Sequence, residues 1–176
     1  MNIRPRLITR IALFSALIYV LSWATAFLPN VNLAFFIAFS AGFLWGLWPG
    51  LAVGAIGMWL WTSFNPYGPA SLPVMLAQVS GMATCGLIGY GFNRMHREST
   101  GGLSHRLWLV LAAIACTISF YLPVTVVDAW VYQPFWPRLI TGLPWIGISL
   151  VANAIVFVVL FGVTLHLQRR ELGART

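Results

Sequence analysis

Few side chains in this sequence can do covalent or acid-base chemistry, and their spacing rules out most of what they might do. The carboxylates are Glu98, Asp128 and Glu171, each alone, so no pair stands ready for general acid and base work. There is no H-E-x-x-H, no G-x-S-x-G and no phosphate-binding loop. Cys85 and Cys116 fall inside apolar stretches, and no cysteine or histidine grouping has metal-site spacing, so the reading is of a protein with no metal and no cofactor. What remains are neutral polar groups set among apolar and aromatic residues. Gln78 and Asn153 interrupt long apolar runs, with Ser80, Thr84, Thr117 and Ser119 as milder cases. Three polar segments add Asn30 and Asn32; Asn65 and Tyr67; and Asp128, Trp130, Tyr132, Gln133 and Arg138. Such residues recognise a small molecule by hydrogen bonds between flat apolar walls, which Trp59, Trp61, Trp130, Trp136 and Trp145 can supply.

The elements that must position them follow from composition. Of 176 residues, 60% are hydrophobic and 7% charged, against roughly 25% charged in a soluble domain. A water-soluble surface cannot be built from that. The ten Lys+Arg are all arginine, and they gather at the ends of apolar stretches rather than along one basic face, which argues for membrane topology and against nucleic acid. Apolar runs of about twenty residues, long enough to cross the hydrocarbon core, predict helices over residues 7–28, 33–47, 50–64, 71–92, 107–127 and 141–167 of one integral membrane domain, 1–176. Trp48-Pro49-Gly50 is expected to turn the second helix into the third. A secretory signal is the rival reading of the first stretch, with Arg4, Arg6 and Arg10 before it and Ala24-Thr25-Ala26 after it; its apolar run is too long.

Orientation follows from the arginines, which accumulate on cytoplasmic loops. With six spans and both termini cytoplasmic, Arg138 alone lies outside and the other nine lie inside. Fusing the second and third helices would carry the Arg94 to Arg106 loop to the opposite side and break the rule. The expected architecture is therefore an all-α, polytopic, six-transmembrane-helix bundle with both termini cytoplasmic. No charge falls within a span, which argues against ion pumps, proton relays and voltage sensors.

Each candidate also has an ordinary structural role. Tryptophans at this depth populate the interfacial aromatic belt, Asn65-Pro66-Tyr67-Gly68 has the makings of a turn, Asp128 and Arg138 can pair with each other, and Gln78 and Asn153 can bond between helices. Gly42 and Gly46, then Gly50, Gly54 and Gly57, suggest close helix packing, while Ala12 and Ala16 leave a smooth strip on the first helix.

Four segments resemble a known family. Ala12-Leu13-Phe14-Ser15-Ala16, Pro29-Asn30-Val31-Asn32-Leu33, Ala41-Gly42-Phe43-Leu44-Trp45-Gly46 running into Pro49-Gly50-Leu51-Ala52-Val53-Gly54, and Asn65-Pro66-Tyr67-Gly68-Pro69 are similar to the S components of energy-coupling factor (ECF) transporters. The likeness spans roughly residues 7 to 92; from Leu107 onward no motif matches. It implies a six-helix subunit that captures a vitamin or related micronutrient beneath its outer loops, docks through Ala12 and Ala16 on a transmembrane T component, and relies on two partner ATPases. By this reading Asn30, Asn32, Asn65, Tyr67, Gln78, Asp128, Trp130, Arg138 and Asn153 face the substrate, and the chain is not itself an enzyme. The competing expectations are a scaffold resembling the rod-shape factor MreD, and a membrane enzyme using Cys85 or Asp128.

Overall fold

In the computed structural model, residues 5–27, 32–95 and 103–173 are described, and among them every regular element is a helix. The order is α1 (Pro5–Ala24), α2 (Ala34–Trp45), α3 (Leu47–Phe64), α4 (Leu72–Met95), α5 (Leu103–Tyr132) and α6 (Phe135–Gly173). Four of these, α1, α4, α5 and α6, are long and apolar enough to cross a membrane. Helix α2 has 12 residues and reaches about 18 Å, short of the hydrocarbon thickness. Its length is tolerable because it touches the other five helices and every residue from Ala34 through Phe43 is buried. A helix that is apolar all round has no polar face to offer water and takes the centre.

What surrounds α2 is aromatic. Phe35, Phe36, Phe39 and Phe43 meet Phe92, Phe120, Tyr121, Phe157 and Phe161 in edge-on, tilted and stacked contacts. On its other side the chain has removed side chains altogether. A methyl at Gly42 would strike the carbonyl oxygen of Gly86, one at Gly86 the carbonyl of Gly50, and one at Gly50 would come within 2.6 Å of the Gly42 Cα. The backbones of α2, α3 and α4 therefore touch at three glycines, the close approach that small residues permit in membranes.

The turn between α2 and α3 differs from the expectation. Trp48-Pro49-Gly50 lies within the first turn of α3, and the reversal falls on Gly46 alone, at φ 98° and ψ −175°. Only glycine adopts that conformation readily. Pro49 fits the first helical turn because its missing N–H would have had no partner there. The connection between α5 and α6 is also shorter than expected, reduced to Gln133 and Pro134. Asp128 and Trp130 thus stand on the last turns of α5 and Arg138 on the first turn of α6, not in a loop. Apolar runs mark where a helix meets hydrocarbon; they do not mark where it stops once it leaves. Gln133 closes the junction, its Oε1 accepting the Phe135 N–H at 2.9 Å and its Nε2 donating to the Trp130 carbonyl at 3.1 Å.

The two ends of the bundle are chemically distinct. At one, Arg10 of α1 pairs with Glu171 of α6 at 3.0 Å, the Trp45 indole N–H of α2 donates to the same carboxylate at 2.8 Å, and Asn93 of α4 donates to the Phe43 carbonyl at 2.6 Å. The start of α1 and the finish of α6 share that end. At the other, Tyr19 donates to the Phe64 carbonyl at 3.2 Å and Tyr67 to the Ala26 carbonyl at 2.8 Å.

The glycine junction has a direct test. Gly86→Ala is expected to destabilise the bundle by about 1–3 kcal/mol, the usual cost of overpacking, seen as a lower melting temperature in detergent. Gly91→Ala, where an added methyl meets nothing within 4 Å, should be neutral or stabilising by up to about 1 kcal/mol. Equal behaviour of the two variants would show that backbone contact at Gly86 is not what holds α4.

Candidate functional site

At the end opposite Arg10 and Glu171 the helices part and enclose a cavity of about 220 Å³. Its walls come from Ser22 of α1, Thr25 and Ala26 just beyond it, Asn32 ahead of α2, Met58 and Trp61 of α3, Tyr67 of the α3–α4 connection, Gln78 of α4, and Phe120, Tyr121 and Val124 of α5. None of these is charged.

Local sequence explains how each wall is held. Beyond α3, the Asn65 carboxamide oxygen accepts the Tyr67 N–H at 2.9 Å and its Nδ2 donates to the Thr62 carbonyl at 3.4 Å; Gly68, at φ 93°, then reverses the chain. This turn delivers the Tyr67 phenol to the Ala26 carbonyl across the mouth of the cavity. Asn32 ties its own side-chain oxygen to the Ala34 N–H at the start of α2, 2.9 Å away, and Thr25 bonds back to the Leu21 carbonyl at 2.8 Å. On the far wall, Phe35, Phe120 and Tyr121 form a trio with centroids 5.1 to 5.7 Å apart. Gly81 brings α4 onto that wall, since a methyl there would lie 2.8 Å from the Phe120 Cα.

Two polar atoms on this lining lack a partner. Ser22 Oγ and Gln78 Oε1 are both buried and neither finds a hydrogen bond. Buried polar groups are paired in the great majority of cases, so an unpaired one needs an explanation, an incoming ligand or water among them. The chamber can therefore present an acceptor and a hydroxyl to a ligand's polar edge while Trp61, Tyr121 and Phe120 cover flat apolar faces.

Of the residues singled out from sequence, Asn32, Tyr67 and Gln78 come together on this lining, with Asn65 behind Tyr67 as the support of its turn. Asn30 lies outside the described residues. Four others stand elsewhere. Asp128 and Arg138 pair with each other at 3.0 Å, with the guanidinium 5.1 Å above the Tyr132 ring. Trp130 is 67% exposed. Asn153 is fully buried between α5 and α6, donating to Thr117 Oγ1 at 3.0 Å while Thr117 donates to the Ala113 carbonyl at 2.7 Å. Ala12 and Ala16 are exposed on the outer side of α1, whereas Ser15 and Ile18 turn inward toward α3. Cys85 and Cys116 are buried neighbours between α4 and α5, off the cavity lining. Among the described residues no cluster of three metal-ligating side chains occurs.

Ser22, Thr25, Tyr121 and Val124 were not foreseen. Ser22 and Thr25 carried a usable signal, two hydroxyls three apart at the end of an apolar helix; Tyr121 carried a weaker one, four residues beyond Thr117.

Among the described residues the fold is all helical, with four helices long and apolar enough to cross a membrane and an uncharged chamber near one end. The family model described as ECF-type riboflavin transporter, S component, matches residues 2–167, and the chain belongs to that family. It is a substrate-binding subunit of a transporter, and the match lends no support to a scaffold. No curated protein and no solved structure matches the chain.

The mouth contact can be checked alone. Tyr67→Phe is expected to cost about 0.5–1.5 kcal/mol of stability and to speed hydrogen exchange at the amides of residues 25–27. Unchanged exchange would mean that the phenol does not fasten the two segments.

Proposed function

We propose that this chain captures riboflavin from outside a bacterial inner membrane and hands it inward as part of an ECF transporter. The observation that carries the reading is the uncharged, aromatic-walled chamber with two unpaired polar atoms, Ser22 Oγ and Gln78 Oε1, within a family whose description names riboflavin. The vitamin is a flat three-ring system with hydrogen-bonding groups along one edge, apolar methyl groups along the other, and no charge. Its faces suit Trp61 and Tyr121, and its imide N–H suits the Gln78 oxygen. At about 220 Å³ the chamber is below the roughly 300–1,000 Å³ of typical ligand sites. The ligand enters by parting its walls, and the Tyr67 bond to Ala26 is the contact that yields.

In this reading all six helices pass through the membrane, α2 and α3 as the buried short pair, and both termini are cytoplasmic. The distribution of charge supports it: among the described residues Arg6, Arg10, Arg94, Arg106, Arg169 and Arg170 belong to one end and Arg138 alone to the other, as the positive-inside rule expects. Ala12 and Ala16 offer their exposed strip to the T component, and ATP hydrolysis belongs to two partner subunits.

Riboflavin fluorescence gives the test. Titration into purified protein should quench the flavin at one equivalent and raise stability by about 2.7 kcal/mol at a hundredfold excess over Kd. Gln78→Ala and Trp61→Ala should each weaken binding by about tenfold, the value of one hydrogen bond or aromatic contact. Silence with riboflavin and with every other common vitamin would return weight to a non-transporting role. Topology is checked by maleimide labelling of Arg97→Cys, since Cys85 and Cys116 are buried and do not compete; labelling from the periplasmic side would overturn the orientation.

A further inference from the structure

We infer that α5 and α6 bend together at Pro123 and Pro144, and that this paired hinge in the chamber wall makes the room a bound vitamin needs. The inference rests on the proposed capture of riboflavin, which a cavity of about 220 Å³ must enlarge to admit, since typical ligand sites begin at roughly 300 Å³. Pro5, Pro49, Pro73 and Pro137 each fall in a first helical turn, where the missing N–H has no partner to lose. Pro123 and Pro144 are interior. Each deprives the carbonyl four residues earlier, Ser119 on α5 and Ile140 on α6, of its helical donor, and a helix bends most easily at such a gap.

The two gaps are level with each other. A methyl at Gly142 would lie 2.5 Å from Thr125 Cγ2, so these residues face across the α5–α6 seam. Two residues deeper on each of the antiparallel helices stand Pro123 and Pro144. On α5 the gap falls inside the chamber wall, because Phe120 and Tyr121 precede it and Val124 follows it. Bending at Pro123 therefore changes the angle between the lining residues themselves, and no residue of α6 has to touch the ligand. Helix α6 bends in step because a junction of two residues ties it to α5.

Below the prolines both helices are fastened, with Asn153 donating to Thr117 at 3.0 Å and Gly81 of α4 admitting Phe120. Above them, among the described residues, the side-chain hydrogen bonds, ion pair and ring contacts of residues 125–142 all stay within that stretch. Asp128 pairs with Arg138 at 3.0 Å, the guanidinium lies 5.1 Å above Tyr132, and Gln133 bonds to both sides of the junction. The outer stretch thus keeps its own shape and turns as one piece. At Gly147, three residues past Pro144, a methyl would meet nothing within 4 Å, so packing does not require glycine there. Its effect is to loosen the same turn of α6. Release of the Tyr67 bond unfastens the mouth; the hinge makes the room.

Nitroxide labels on Pro69→Cys and Trp136→Cys, both exposed positions, report the distance from the α3–α4 connection to the outer stretch of the full chain in lipid nanodiscs. Cys85 and Cys116 are buried and stay unlabelled. Without ligand the distance distribution should be broad, and riboflavin should narrow it. Pro123→Ala, which returns a donor to the Ser119 carbonyl, and Pro144→Ala should each narrow it without ligand. In stopped-flow flavin quenching on the unlabelled chain, each should slow association and dissociation alike by about fivefold, the value of one backbone hydrogen bond that bending must then break. Kd should stay within about twofold. Gly147→Ala, for which there is room, should slow both rates by about threefold; Gly91→Ala, equally unhindered but on α4, should change neither. A wild-type ligand-free distribution as narrow as that of Pro123→Ala, or rates that Pro123→Ala and Gly147→Ala leave unmoved, overturns the hinge while riboflavin capture stands. Absence of riboflavin binding sinks the capture reading, and the ligand-free distances still decide the hinge.

Discussion

Backbone contact among Gly42, Gly50 and Gly86 is the constraint on which the rest of this bundle depends. With no side chain between them, α2, α3 and α4 meet as closely as helices can, and α2 becomes the enclosed centre of the fold. Closeness there sets what happens further along. Gly54 admits the Met82 carbonyl and Gly57 admits the Ile18 side chain, keeping α1, α3 and α4 together for another two turns. Past those glycines the facing residues are Ser22, Met58, Trp61 and Gln78, and there the cavity opens. Helices α4 and α5 are pinned once more at Gly81 against Phe120, while the Tyr67 phenol reaches the Ala26 carbonyl across the mouth.

Much of this was legible. Apolar runs and the arginine pattern revealed six helices and a basic end, and the glycine spacing pointed to close packing. Two boundaries were misplaced for physical reasons. Pro49 looked like a breaker, but a proline in the first helical turn breaks nothing, and the reversal instead used the one conformation that Gly46 alone could supply. Helices α5 and α6 run past the apolar stretch to a junction of two residues, where Gln133 bonds to the Trp130 carbonyl and the Phe135 N–H.

The site was legible by depth and not by direction. Gln78 and Asn153 are both polar residues within long apolar helices, yet Gln78 meets the chamber while Asn153 bonds to Thr117 in the α5–α6 seam. In an amphipathic helix the polar stripe would tell which way a residue points. Here nearly every position is apolar, so the stripe does not exist and rotation about the helix axis is set by packing alone. For the same reason Asn32 and Tyr67 were easier to place than Asp128 and Trp130. Short connections with Asn, Pro and Gly declare their turns locally, whereas a charged residue just beyond an apolar run can sit on a helix or in a loop.

In the proposed reading the chamber binds and its partners drive. Among the described residues every charge stands near a helix end, so none of them is placed in the middle of the bundle. Binding can shift a conformational equilibrium only by the difference in ligand affinity between the two states. On the proposed reading, energy for inward delivery arrives through a surface, and α1 is the element that would carry it. Ser22 lines the chamber; ten residues earlier, about 15 Å along the same helix, Ala12 stands exposed with Ala16 between them. Ser15 and Ile18 lock the intervening turns onto α3, the latter into the space left by Gly57. On the proposed reading, a partner docked on the alanine strip would carry the Ser22 wall with it, because the helix between has no proline or glycine at which to bend.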